Sequence, residues 1–353
     1  MRILASVTGQ RVSAAVVGAS GYAGGELVRV LSAHPAIDLR LLAAGSKADE
    51  PITSVHPGLV DRHAQAFADT DPGALAAYDL VFLALPHGQS EAIAAQIPDV
   101  PFVVDLGADH RLADEAAWHT YYGPGAVAPQ WQYGLPELPG VRDALRHARR
   151  VAVPGCYATA ISLALWPIVS AGLVDEGALV TVAASGTSGA GRQPSEALLA
   201  TEVMGSMKAY KVGGVHQHTP EIEQALRLAG ATRPVLSFTP LLAPMPRGIL
   251  ATSTAPVLPG VTQTDLRLAF EKAYADEVFV HLLDEGTWPV TGATAGANTA
   301  LLQTALDAHA DRAVVVSAID NLQKGAAGQA VQCANLMLGI PEKTGLSIWG
   351  VAP

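Results

Sequence analysis

Two residue types in this chain are spaced for covalent chemistry. Cys156 stands in Val153-Pro154-Gly155-Cys156-Tyr157-Ala158-Thr159, and a histidine pair stands in Val215-His216-Gln217-His218-Thr219-Pro220-Glu221. A thiolate is a strong nucleophile, and imidazole gains or loses a proton near neutral pH. An apolar run, 151–153, leads into the cysteine, and a helix-like run, 158–169, leads out of it. Cys156 is therefore expected at a helix start, where unpaired N–H groups and the helix dipole lower a thiol's pKa. The competing reading is a buried, inert cysteine. His216 and His218 share one side of the chain if this piece is extended. Either one could serve as base toward Cys156, and the alternatives are a structural pair or a metal pair. The spacing of Cys156 and the glycine loops does not match the usual zinc ligand sets, so no metal is expected.

A second set of residues suits a dinucleotide. The apolar run 12–17 enters Gly18-Ala19-Ser20-Gly21-Tyr22-Ala23-Gly24-Gly25, and 26–31 reads as a helix. A strand, a glycine turn and a helix let a backbone approach a pyrophosphate at a helix N-terminus. Gly18, Ser20, Gly21, Tyr22 and Ala23 are the candidate contacts. The next strand, 37–44, ends in Gly45-Ser46-Lys47 with no acid to hold ribose hydroxyls. Ser46 and Lys47 could instead meet a 2′-phosphate, so the reading is NADP over NAD. Strands 79–85 and 102–106 end at Leu85, His87 and Arg111, on the edge where parallel sheets bind ligands. Ser188 and Gly189 lie in a small-residue loop, Ser185 to Arg192, of the kind that wraps a phosphate. Asn321 could bond a carboxamide. Arg111 and Arg247 are the candidate anion clamps.

The bulk numbers bound the elements that must hold these residues. A chain of 353 residues predicts two domains. Net charge is −10, which argues against nucleic acid as the partner and makes an anionic ligand depend on a local positive pocket. Two cysteines suggest no disulfide framework and fit a reducing, cytoplasmic setting. Residues 1–10 lack a signal-peptide pattern. The uncharged stretch 151–174 is interrupted by prolines and glycines, so no membrane span is expected. Strands alternating with helices in the first half predict a parallel sheet. Consecutive strands at 236–242 and 250–257 predict a partly antiparallel, α+β second half. Residues 118–150 read as an irregular surface connection, with a solvated basic cluster at 142–150.

Taken together, these motifs resemble the N-acetyl-γ-glutamyl-phosphate reductase family, related to aspartate-semialdehyde dehydrogenase. The segments are Gly18–Glu26, Leu85–Gly88, Pro154–Thr159, Ser185–Arg192, Val215–Glu221, Pro244–Ile249 and Asp320–Gln332, in the family's order. The resemblance implies an α/β chain in two parts. Residues 1–155 would form a Rossmann-type NADP-binding domain, joined by a C-terminal helix at 330–353. Residues 156–329 would form an α+β catalytic domain. It also implies NADPH-dependent reductive dephosphorylation of an acyl phosphate in arginine biosynthesis. Cys156 would be the nucleophile, His216 and His218 the acid–base and substrate groups, and Arg111 the partner of the substrate phosphate. A homo-oligomer, dimer or tetramer, is implied as well. Two positions depart from the pattern: Gln217 where relatives carry Arg, and His110 where they carry Phe. The rival readings are aspartate-semialdehyde dehydrogenase, a cofactor-free Cys–His hydrolase, and a non-catalytic NADP-binding sensor.

Overall fold

A computed structural model describes residues 11–351. The signal-peptide reading of 1–10 lies outside the described residues. The described residues form two sheets. In the first half, β1 (Val12–Val17), β2 (Ile37–Ala43), β3 (Leu80–Leu83), β4 (Phe102–Asp105), β5 (Gln132–Tyr133) and β6 (Arg150–Ala152) pair in the order β2-β1-β3-β4-β6-β5. Every pairing is parallel. β3 is wholly buried and β1 nearly so, as strands covered on both faces must be. All carboxyl ends of such a sheet fall on one edge, so the turns after β1, β2, β3 and β4 gather there.

The second half holds β7 (Leu179–Ser185), β8 (Lys208–Ala209), β9 (Leu236–Leu242), β10 (Ile249–Pro256), β11 (Val280–Leu282), β12 (Ala300–Asp307) and β13 (Arg312–Ile319). Their order is β11-β12-β13-β10-β7-β9-β8. β10 runs antiparallel to β7 and β13, whereas β7–β9 and β11–β12 are parallel. β7 alternates between buried and exposed residues, so only one face of this sheet is covered. The long helix Cys156–Ser170 packs on the inner face against β10 and β13. Val180 and Val182 remain exposed on the other face. No described helix is long and apolar enough to cross a membrane.

The stretch 118–150 differs from the surface connection expected. It contains a helix, Val141–His147, and strand β5, and it buries Tyr133, Leu135, Leu138 and Leu145. Arg142 is not part of a solvated basic face. It bonds Glu277 at 2.5 Å and Glu342 at 2.9 Å. After β13 the chain makes one π turn, Gln323–Ala327, and then the helix Gly328–Leu338. This last helix packs on the first-half helices Tyr22–Ser32 and Val141–His147. It stops at Gly339, with φ +68, rather than continuing toward 353.

Candidate active site

Cys156 is the first residue of the helix Cys156–Ser170, and Gly155 is its N-cap without any side-chain cap. The first N–H groups of that helix are thus left for a ligand. The helix interior is buried from Tyr157 to Val169. Cys156 itself is half-buried. Burial pushes its thiol up to about 11, against the opposing pull of the Tyr157 N–H and the Arg111 charge. The lowered thiol pKa expected from the helix start is therefore corrected: desolvation of the thiolate outweighs the dipole here.

The histidine segment is not extended. His218 opens the helix His218–Leu228, and the two imidazoles still lie 4.8 Å apart, centroid to centroid. A Cβ on Gly155 would fall 2.3 Å from His218 Nε2, so this imidazole rests on the backbone beside Cys156. His218 Nδ1 is buried without a hydrogen-bond partner. Burial, with the nearby charges of Arg111 and Lys211, holds His218 well below the usual histidine range. His216 Nδ1 accepts the His218 backbone N–H at 3.1 Å. The His216 ring is boxed by Tyr157, Tyr210 and Phe238. Burial pushes its pKa down to about 2, with His218 and Lys211 adding to the shift.

Arg111 is buried with 7% exposure. Its terminal nitrogens face the Leu106 carbonyl at 2.7 Å and Glu221 at 3.4 Å, and its Nε has no partner. It is not free for a two-pronged clamp, but it is a fixed positive charge beside the thiol. Glu221, whose role the sequence reading missed, joins the parts. It accepts the Gly155 N–H at 2.8 Å and the Tyr133 hydroxyl at 3.0 Å, and it pairs with Arg111. The signal was its place three residues after His218 in a helix start. His110 stacks on Trp131 with centroids 3.6 Å apart and so fills a packing role.

The dinucleotide residues gather on the carboxyl edge of the first sheet. Gly18, Ser20, Gly21, Tyr22 and Ala23 form the turn into the helix Tyr22–Ser32, which has no side-chain cap and no acid in its first turn. Gly18 has φ +78, and a Cβ there would meet the Ala84 carbonyl oxygen at 2.3 Å. A bare helix start reached through such a turn fits a pyrophosphate. Ser46 and Lys47 lie in an exposed turn after β2, where Lys47 pairs with Glu50 at 2.8 Å. Leu85 and His87 follow β3, and the His87 ring stands edge-on to Tyr122. Ser188 and Gly189 follow β7. A cleft of about 430 Å³ is lined by Tyr22, Ser188, Arg192, Arg247 and Leu322. Asn321 accepts the Gly248 N–H at 2.7 Å and donates to Ser188 at 3.0 Å, so it braces the two loops. Arg247, expected to clamp substrate, is engaged instead with Glu26 at 2.9 Å and Asp320 at 3.1 Å. Among the described residues no cluster of three or more His, Cys, Asp or Glu could hold a metal ion.

The two halves match two family models. Residues 13–148 match the semialdehyde dehydrogenase NAD-binding domain, and 156–321 match the semialdehyde dehydrogenase dimerisation domain. A relative from Acidothermus cellulolyticus, named N-acetyl-gamma-glutamyl-phosphate reductase, is 59% identical over 96% of this chain and 98% of its own. The chain belongs to the N-acetyl-gamma-glutamyl-phosphate reductase family. A second member of the family, from Salinispora tropica, is 57% identical over 97% of this chain and 99% of its own. Among solved structures, a probable aspartate-semialdehyde dehydrogenase from Pseudomonas aeruginosa superposes with TM-score 0.69 at 20% identity, covering 93% of this chain and 99% of that one. Aspartate-semialdehyde dehydrogenase with NADP from Candida albicans gives 0.66 at 16% identity, with 93% and 98% covered. At these identities the likeness establishes that this reductase family shares the semialdehyde dehydrogenase fold.

Proposed function

We propose that the chain reduces N-acetyl-γ-glutamyl phosphate to N-acetylglutamate semialdehyde, with loss of phosphate, through a thioester on Cys156. The carrying observation is His218: an imidazole with a buried, unpartnered Nδ1, resting on Gly155 beside a thiol at an uncapped helix start. The names of the relatives supply the substrate.

In this reading Cys156 rests as a thiol and His218 as a free base, since burial disfavours both charged forms. His218 is the base rather than His216, whose Nδ1 is occupied by a backbone N–H. Proton transfer from Sγ to His218 releases the thiolate for attack on the acyl carbon. The acyl oxygen gains charge beside the free N–H groups of the helix start. Phosphate departs with the electrons of the C–O bond, in the field of Arg111, and a thioester remains. The bare start of the Tyr22–Ser32 helix would hold the pyrophosphate of NADPH, which would supply the hydride that reduces this thioester to the aldehyde. Cys156 leaves as thiolate and recovers its proton from His218. The absence of an acid at the end of β2, with Ser46 and Lys47 following it, supports NADPH over NADH.

The test is phosphate-dependent oxidation of the semialdehyde by NADP. Cys156→Ser is expected to abolish it, and His218→Asn to lower it more than His216→Asn. Wild-type rate in the serine variant, or the reverse order of the histidines, overturns the assignment. We further propose a division at Gly155, with Gly328–Leu338 returning to the first domain, and a dimer formed on the open face of the second sheet. The dimerisation-domain match and exposed Val180 and Val182 support the dimer. Two free cysteines support a cytoplasmic setting.

A further inference from the structure

Arg247 and Glu26 lie outside the thiol–imidazole pair, yet they join the two halves of the molecule. Glu26 sits in the second turn of the helix whose bare start fits the pyrophosphate, and it is 8% exposed. Its Oε1 accepts Arg247 Nη2 at 2.9 Å and also the Gln323 side-chain amide. Arg247 Nε faces Asp320, at 3.1 Å. Asp320 is fully buried and held in turn by the N–H groups of Gly296 at 2.7 Å and Leu322 at 2.8 Å. A planar guanidinium can join two carboxylates in this way, which a lysine ammonium cannot reproduce. Burial alone would raise the Glu26 carboxyl, but Arg29 and Arg247 overcome it and hold it at about 2. The joint is thus ionised throughout the neutral range.

Arg29 belongs to the same helix as Glu26, whereas Arg247 and Gln323 are rooted in the catalytic half. Arg247 is on a loop zipped to the segment after β7 through Thr187 N–H to Met245 O at 2.9 Å and Gly186 N–H to Gly248 O at 2.8 Å. Gln323 begins the π turn whose Gly325 abuts Cys156: a Cβ on Gly325 would lie 2.8 Å from Cys156 Cβ. The helix that receives the nucleotide is thereby tied to the same turn that touches the nucleophile.

We infer that Glu26 and Arg247 are positioning residues for hydride delivery: the pair fixes the distance between the nucleotide helix and Cys156, and Arg247 does not bind the substrate. This inference rests on the thioester reading above. If it holds, loosening the joint slows hydride transfer and leaves thioester formation intact.

Two half-reactions separate these effects. Acyl phosphate mixed with enzyme alone gives a burst of phosphate, which reports thioester formation. Single-turnover oxidation of saturating NADPH reports the hydride step. In Arg247→Lys the burst is expected within about twofold of wild type, while the hydride step falls about 10- to 100-fold, the scale of a misplacement near 1 Å. Glu26→Gln, which keeps the shape and its amide contacts, should give the same asymmetry. The double variant should be no slower than the worse single, as two members of one joint require. A tenfold rise in KM for the acyl phosphate, a burst that falls with the hydride step, or two unchanged half-reactions would each overturn the inference. A wild-type enzyme without a phosphate burst would instead overturn the thioester reading.

Discussion

Removing the ammonium of Lys324 should be one of the most destabilising single changes in this chain. Lys324 lies in the π turn and is fully buried, as is its partner Glu137. Nζ donates to Glu137 Oε1 at 2.6 Å and to Gln332 Oε1 at 2.8 Å, and it stands 5.7 Å from the Phe279 ring centre. Lys324→Met keeps the length of the side chain and removes the charge. Glu137 is then a buried carboxylate with only the Gln332 amide, at 2.8 Å, to support it. Breaking a buried pair from one side costs about 3–5 kcal/mol. That is a large part of a typical stability of about 5–15 kcal/mol. The sign of its pH dependence is specific. Burial alone would raise the Glu137 carboxyl, but Lys324 and Gln332 hold it below the ordinary range. In the wild type this pairing stabilises the fold above the unfolded carboxylate pKa and is lost in acid. In the variant the carboxyl rises, so its protonation relieves the strain as the pH falls from neutral toward acid. Urea unfolding across that range should show a deficit that narrows toward acid. Lys324→Met with Glu137→Leu should recover to within about 1 kcal/mol of wild type, because no lone charge remains buried. A deficit below about 1 kcal/mol in the single variant, or one that widens toward acid, would refute the reasoning.

Four further outcomes can be measured. Gly325→Ala puts a methyl group 2.8 Å from Cys156 Cβ, so the phosphate burst should slow about 100-fold while NADP binding, read by calorimetry, is retained. Glu221→Gln leaves Arg111 buried without its counter-charge and should lose about 3 kcal/mol on urea unfolding. The same change removes a charge that raises the Cys156 thiol, so alkylation by iodoacetamide at neutral pH should become faster although the fold is weaker. In the wild type the alkylation rate should climb with pH until the thiol ionises at about 11, instead of levelling near the usual thiol range.

What the sequence displayed and what it concealed follow a physical line. β1 and β9 could be read directly because each is a short, mainly apolar run bounded by turn residues. The helix start at Cys156 was legible from the apolar run before it and the helix-like run after it, and the turn into Tyr22–Ser32 from its glycines. β12 was not, because its polar centre, Gln303 and Thr304, looks like a break. In the fold Gln303 is buried, with its amide on the carbonyls of Leu283 and Asp284. Residues 118–150 looked like surface because Gly, Pro and Tyr dominate locally. Their burial depends on Lys324 and the last helix, far along the chain. Arg247 misled for the same reason: a basic residue in a proline turn suggests an anion, and its carboxylates, Glu26 and Asp320, come from distant segments. The Cys156 pKa went astray because a helix dipole is visible in sequence and desolvation is not.

The uninterrupted burial of the helix Cys156–Ser170 has one more consequence. Its C-terminal part contains Pro167, and the Leu163 carbonyl is taken up by the Tyr274 hydroxyl at 2.5 Å, so even this interruption is anchored to a neighbouring helix. A segment buried without a break from Tyr157 to Val169 does not fray on its own. Warming should therefore not uncover the sulfur before this helix itself melts, and exposure of the thiol and loss of the helix should trace a single curve.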